Sequence, residues 1–243
     1  MTQHRDRIYA HYVEVWNETS APASVADLAD RAPTMRHVIN SFFPPNKMAA
    51  IVDLGCGHGT LVHFARQQGY QNIAGVDVSL QQVALARKLG IGDVQAGDLM
   101  ESMRSTPRES LDAVVAFDVI EHFDKDELID FVDAVHGVLK PGGRWIIHAP
   151  NGASPFFGTV RYGDFTHEQA FTPSSLQQLL KASGFSRVEF AECGPRIHGL
   201  KSMIRFILWR GVRLVYRLIS AVETGDLAKD GIFTRNFYAV AYR

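Results

Sequence analysis

The sequence predicts an α/β protein built on a parallel sheet covered by helices on both faces, and three observations carry that expectation. From residue 49 onward, short β-branched apolar runs alternate with stretches of helical period. A glycine-rich turn, Gly55-Cys56-Gly57-His58-Gly59, follows the first of these runs, and acidic residues stand at the ends of the next two. Such alternation marks βαβ units, whose strands are buried on both faces and therefore read as continuous apolar runs. Composition agrees: 243 residues, 46% hydrophobic and 21% charged, are enough to bury a full core and exclude a disordered chain. The two cysteines, Cys56 and Cys193, show neither C-x-x-C nor zinc-type spacing, so no disulfide framework is expected. With 25 basic against 26 acidic side chains, no global field attracts nucleic acid.

In chain order, residues 1–48 read as a helical cap or lid, two helices split at Thr19-Ser20-Ala21-Pro22 and closed by Pro44-Pro45. Tyr9, Tyr12 and Trp16 share one face of the first helix, either as core packing or as a lid wall, with Tyr12 the candidate acceptor contact. The domain spanning 49–243 opens with a strand at Ala50–Leu54 and a helix at Thr60–Gln68. Strand Ile73–Val76, helix Ser79–Leu89 and strand Asp93–Ala96 follow, then strand Ala113–Phe117 and helix Lys125–Leu139. Lys140-Pro141-Gly142-Gly143 stops that helix before strand Trp145–His148.

Residues 152–172 keep no period and are rich in Gly, Pro and aromatics, which predicts a long functional loop that holds the acceptor. Phe157, Tyr162 and Phe165 are its candidate acceptor contacts, because aromatic faces suit a sugar ring or another small molecule. Helix Pro173–Ser183 ends at Gly184, a strand runs through Phe190, and a last strand covers Phe237–Tyr242.

Between these strands lies an insertion, 196–230, with a basic amphipathic helix over 201–222. Arg205, Arg210, Arg213 and Arg217 fall within an arc of about 140°, with Phe206, Trp209 and Tyr216 among them, while Leu208, Val215 and Leu218 lie largely opposite. Three settings suit this pattern: a sheet edge with the arginines in solvent, a membrane surface, or a homodimer. The arginines make a membrane span costly, and the N-terminal residues contain no apolar signal stretch, so the expected address is cytoplasmic with peripheral membrane contact left open.

A strand, a glycine turn and a helix N-terminus let the backbone approach a ligand closely. The spacing here is G-x-G-x-G rather than the G-x-G-x-x-G of dinucleotide sites. Asp77, about twenty residues further on, suits an unphosphorylated ribose; Asp98 suits an exocyclic amine, with Leu99 offering its backbone amide. Taken singly, the glycines form a tight turn, Asp77 caps the following helix and Asp98 belongs to a solvated turn.

Val52-Asp53-Leu54-Gly55-Cys56-Gly57-His58-Gly59, Gly75-Val76-Asp77-Val78-Ser79, Ala96-Gly97-Asp98-Leu99, Phe117-Asp118-Val119-Ile120-Glu121-His122 and Leu139-Lys140-Pro141-Gly142-Gly143 occur in this order. Over about Ala49 to Phe190 the chain thereby resembles the class I S-adenosylmethionine-dependent methyltransferases. The resemblance implies a Rossmann-like, seven-stranded, mostly parallel sheet with an antiparallel last strand supplied by Arg235 to Arg243. It implies S-adenosyl-L-methionine as cofactor, held by Asp53, Gly55, Cys56, Gly57, Asp77, Val78, Asp98, Leu99, Phe117 and Asp118. Asp164-Phe165-Thr166-His167 with Phe171-Thr172-Pro173 is similar to small-molecule members, including ones of polysaccharide biosynthesis, so a small-molecule or glycan acceptor is expected. No carboxylate cluster follows the fifth strand, so no metal is implied, and the fourth-strand motif lacks the Pro-Pro-aromatic segment of nucleic-acid enzymes.

Methyl transfer from a sulfonium is an in-line displacement in which positioning is the main task. A hydroxyl acceptor also needs a base, and His167 and His122 are the candidates. The expected reaction is O-methylation. C- or N-methylation of a small metabolite or quinone-like acceptor is the alternative, as is a non-catalytic cofactor-binding protein. Asp118 is read as orienting cofactor or acceptor, and His148 as an interior histidine.

Overall fold

The computed structural model of the chain describes Ile8 and residues 21–243. Tyr9, Tyr12 and Trp16 lie outside the described residues. Within the cap, Ala23 and Ser24 donate their backbone amides to the Asp27 carboxylate at 3.0 and 2.9 Å, starting a 3-10 stretch over Val25–Arg31. It runs into helix α1, Ala32–Phe42, with Pro33 in the first turn, where its missing N–H costs nothing.

Seven strands form one sheet: β1 Ile51–Leu54, β2 Ile73–Asp77, β3 Val94–Ala96, β4 Leu111–Phe117, β5 Leu139–Pro150, β6 Arg187–Glu192 and β7 Asn236–Tyr242. Their order is β3-β2-β1-β4-β5-β7-β6, and β7 runs antiparallel to both its neighbours. The strands β1 to β5 are mutually parallel and are joined by α2 Thr60–Gln67, α3 Leu80–Lys88, α4 Leu99–Ser105 and α5 Lys125–Val138. Strand order reverses between β1 and β4, which places a crevice at the carboxyl ends of these two strands.

The period of two along the central strands sorts their side chains into two cores. Val114, Ala116, Trp145 and Ile147 face one core with Phe131 and Phe237. Ala113, Val115 and Ile146 face the other with Val62, Ile73 and the cap residues Val38 and Ile39. Each large side chain buried in this way stabilises the fold by about 1.5–3 kcal/mol.

Two elements differ from the sequence expectation. The stop at Lys140–Gly143 lies inside β5 as a bulge, since Leu139 pairs with Leu111 while Arg144 pairs with Ala113. Helix α4, which the sequence pattern did not suggest, starts where the Asp98 carboxylate accepts the Glu101 amide at 2.9 Å. The loop 152–172 holds one short helix, α6 Phe157–Arg161, and a bridge between Asn151 and Phe171 pins its ends together. After α7, Pro173–Ala182, and β6 comes α8, Leu200–Thr224, the amphipathic helix of the insertion.

Candidate active site

A cavity of about 790 Å³ occupies the crevice. The glycine loop forms its floor. Gly55 has φ +68°, and a Cβ there would meet Val119 Cγ2 at 2.5 Å, so only glycine fits the turn. Gly57 has φ +56° and donates its amide to Asp77 Oδ2 at 2.7 Å, while Ser79 donates its amide to Asp77 Oδ1 at 2.8 Å. One carboxylate at the end of β2 thus braces both the loop after β1 and the start of α3, and still lines the cavity.

Asp53 is 3% exposed, and burial followed by the nearby Asp77 charge pushes its carboxyl up to about 8. Burial also raises Asp77, against the two amides that stabilise its charge. Two buried carboxyls held above their ordinary range form a pocket floor that favours a cationic ligand. The Cys56 thiol is pushed up by burial and by these same two carboxyls, which leaves it a packing group rather than a nucleophile. The other residues of the expected cofactor set, Val78, Asp98, Leu99, Phe117 and Asp118, also line the cavity.

Asp118 takes φ +53°, an uncommon conformation for a non-glycine residue. This turns its carboxylate onto His148 Nδ1 at 2.8 Å. Burial works against charge on both partners, but their attraction outweighs it, so Asp118 lies below and His148 well above its ordinary range. His148, read from the sequence as interior, is therefore a wall of the cavity paired to Asp118. The period of β5 pointed to burial but could not reveal a partner thirty residues away.

The opposite end is built by the turn after β4 and the loop 152–172. Glu168 and Gln169 donate their amides to the Glu121 carbonyl at 2.8 and 3.0 Å, which pulls the loop onto that turn. Thr166, fully buried, donates its hydroxyl to Asp164 Oδ1 at 2.6 Å, and its oxygen stands 2.9 Å from His122 Nδ1. With the threonine proton committed to Asp164, His122 carries its own proton on Nδ1. Burial, and then the neighbouring His167, push His122 down to about 4, so it is neutral at pH 7.

His167 donates Nδ1–H to the Val160 carbonyl at 3.0 Å, which leaves the lone pair on Nε2, 4.0 Å from Glu121 Oε1. The two imidazole rings are 4.8 Å apart, centroid to centroid. Glu121 is completely buried, and neither carboxyl oxygen has a hydrogen-bond partner among the described residues. Burial, followed by repulsion from Asp118, raises it well above its ordinary range.

Sequence reasoning assigned Glu121 no role although it stands in the fourth-strand motif; its signal is burial, which the motif does not carry. Glu121, His122 and His167 each bring one ligand atom within 4.8 Å of the others, a donor set suited to a transition-metal cation, where the sequence suggested no metal site.

The loop aromatics lie elsewhere. Tyr162 and Phe165 are 76% and 80% exposed, and Phe157 packs its ring against Tyr162 at 6.3 Å. None of the three lines the cavity; the loop delivers Val160, Gly163, Asp164 and His167 instead. The physical reason is the α6 turn together with the buried Thr166 anchor, which turn the chain's polar residues toward β4. Ala21, Pro22, Arg31, Thr34 and Met35 of the cap complete the wall; Tyr12 falls outside the described residues.

A doubly wound sheet with a G-x-G-x-G loop, an acid after β2 and a cavity over the strand ends defines a class I S-adenosylmethionine-dependent methyltransferase fold. Residues 28–189 match the family model described as a methyltransferase domain, and the chain belongs to that family. Among curated relatives, it is 28% identical over 154 residues to the mitochondrial ubiquinone biosynthesis O-methyltransferase of Rattus norvegicus, a match covering 56% of this chain and 44% of that protein. The chain thus spans less than half the length of that relative. It is 26% identical over 195 residues to the O-methyltransferase resE of Aspergillus sclerotiorum, covering 74% of this chain and 70% of that one. Among solved structures, a SAM-dependent methyltransferase from Archaeoglobus fulgidus aligns with a TM-score of 0.66 at 20% identity, over 89% of this chain and 94% of that chain.

Proposed function

We propose that the protein transfers a methyl group from S-adenosylmethionine to a hydroxyl of a small organic acceptor, with His167 Nε2 taking the hydroxyl proton. Asp77 would hold the ribose hydroxyls, Asp98 and the Leu99 amide the adenine, and Asp53 with the Gly55–Gly57 loop the amino-acid end. The carboxyl of Asp53, raised by burial, supports this fit, since a cationic group beside it favours its charged form. The cofactor supplies a methyl group already activated by the positive sulfur. The protein's tasks are then alignment and removal of one proton.

The observation that carries the reading is the orientation of His167. Its Nδ1–H is committed to a backbone carbonyl, which leaves the lone pair on Nε2, and His167 and His122 both line the cavity. Met100, Val119, Phe123 and Val160 share this part of the wall. Their apolar surface favours an aromatic or quinol-type hydroxyl over a glycan, whose many hydroxyls would lose water without gaining partners. The relatives named as O-methyltransferases, one of them in ubiquinone biosynthesis, point the same way.

The test is turnover on a panel of catechols, hydroquinones and glycans, followed by release of S-adenosylhomocysteine, with His167→Ala beside the natural chain. The expected loss is about 10²–10⁴ in kcat, the range of a general base, with cofactor affinity unchanged within threefold. Normal turnover in His167→Ala removes the proton role. Cofactor binding without turnover on any acceptor favours a non-catalytic binding protein.

A further inference from the structure

Helix α8 is 25 residues long, and Ser202 is its one buried residue. Its orientation reverses the simplest expectation for a basic helix. The face with aromatic rings and arginines turns toward the protein: Arg213 reaches Glu192 at 3.3 Å, Tyr216 stacks on Phe233 at 5.5 Å, and Arg217 donates to the Lys229 carbonyl. The face left outside is apolar. Ile207, Leu208, Leu214, Leu218 and Val222 are 60%, 64%, 57%, 52% and 90% exposed. The exposed cations Lys201, Arg205 and Arg210 flank this stripe, and no acidic residue occurs between Leu200 and Val222.

We infer that this outer face lies in the headgroup region of an anionic lipid surface. Two features select a membrane over a second copy of the chain. First, the exposed apolar arc spans about half of the helix circumference, wider than the seam that a packed helix pair covers, whereas a lipid interface covers it entirely. Second, a self-complementary interface sets the same face against itself, and cationic flanks would then meet cationic flanks with only Glu223 in the last turn to answer them. Lipid phosphates complement all three exposed cations, whose long stems reach up past the apolar stripe. No helix among the described residues is long and apolar enough to cross a membrane, and a helix of this length would lie about 37 Å along the surface. The inference does not depend on which acceptor the active site takes.

The test is co-sedimentation of the full chain with vesicles of phosphatidylglycerol and phosphatidylcholine in equal parts, and with vesicles of phosphatidylcholine alone. Binding to the mixed vesicles is expected to exceed that to neutral ones by at least about tenfold, and to fall in about 1 M salt, where the screening length shrinks to about 3 Å. Leu208→Glu/Leu218→Glu alters only exposed positions and should lower binding at least about tenfold, while circular dichroism and cofactor affinity stay unchanged. Arg205→Glu/Arg210→Glu should abolish the preference for anionic lipid. Absence of vesicle binding, or equal binding to both vesicle types, overturns the inference. So does a dimer seen in light scattering that the leucine variant dissociates, which would assign the face to a second copy.

Discussion

The two ends of the cavity are built in opposite ways. The end proposed for the cofactor is made of short-range pieces: the Gly55–Gly57 turn, Asp77 and Asp98 each stand at the carboxyl end of a strand and are tied to backbone amides. The end proposed for the acceptor is made of long-range contacts, with His122 meeting Thr166 and Glu121 meeting His167 across more than forty residues. The difference teaches that a site made from turns tolerates little change in backbone and is written locally. A site made by docking a loop is free to vary its chemistry, and its specificity follows from how that loop is anchored.

Variants on either side should separate the two ends. The largest effect is the loss of two or more orders in kcat for His167→Ala with cofactor binding kept, which would leave the acceptor end disabled and the cofactor end intact. Gly55→Ala should do the reverse, weakening cofactor binding by about 100-fold or more in calorimetric titration, because a Cβ at φ +68° also strikes Val119. Asp77→Ala should cost about 1.5–3 kcal/mol of cofactor affinity by removing charge-assisted hydrogen bonds. If its affinity is unchanged in a folded protein, the ribose assignment fails.

The raised Asp53 makes a linkage prediction of similar size. Between about pH 4 and 8 the folded, ligand-free chain keeps a proton that the unfolded chain has released, so unfolding free energy falls as pH rises through that window. Asp53→Asn should remove the share of this slope that Asp53 contributes, leaving that of the other raised groups, and stabilise the ligand-free protein by about 1–3 kcal/mol at pH 8, measured by thermal or denaturant unfolding. A slope unchanged in the variant would place the buried proton elsewhere. The smallest effect belongs to Tyr162→Ala, expected to change kcat/KM by less than about threefold because the ring stands outside the cavity. A larger loss would mean that the loop closes further over the acceptor.

These contrasts track what could be read before folding. The glycine loop and the acids after β2 and β3 were legible because backbone stereochemistry and strand ends are local properties. Asp98 shows the limit of that reading, since its carboxylate caps α4, a helix whose period the sequence did not display. The loop aromatics misled because composition names the rings in a loop but not where its anchors turn them. Glu121 was given no role and His148 was read only as an interior histidine, because their settings lie in burial and in partners distant in sequence.

By itself the sequence determined the alternation of strands and helices, the turn that only glycine can make, the order of acids at strand ends and the two-sided character of α8. These follow from periodicity and from the conformations each residue allows, which act over a few positions. Only the tertiary structure decided which face of α8 turns outward, which nitrogen of His167 keeps its lone pair, and how a buried Glu121 comes to stand beside His167. Those outcomes depend on which distant groups share a volume, and packing chooses among arrangements that the local pattern leaves equal.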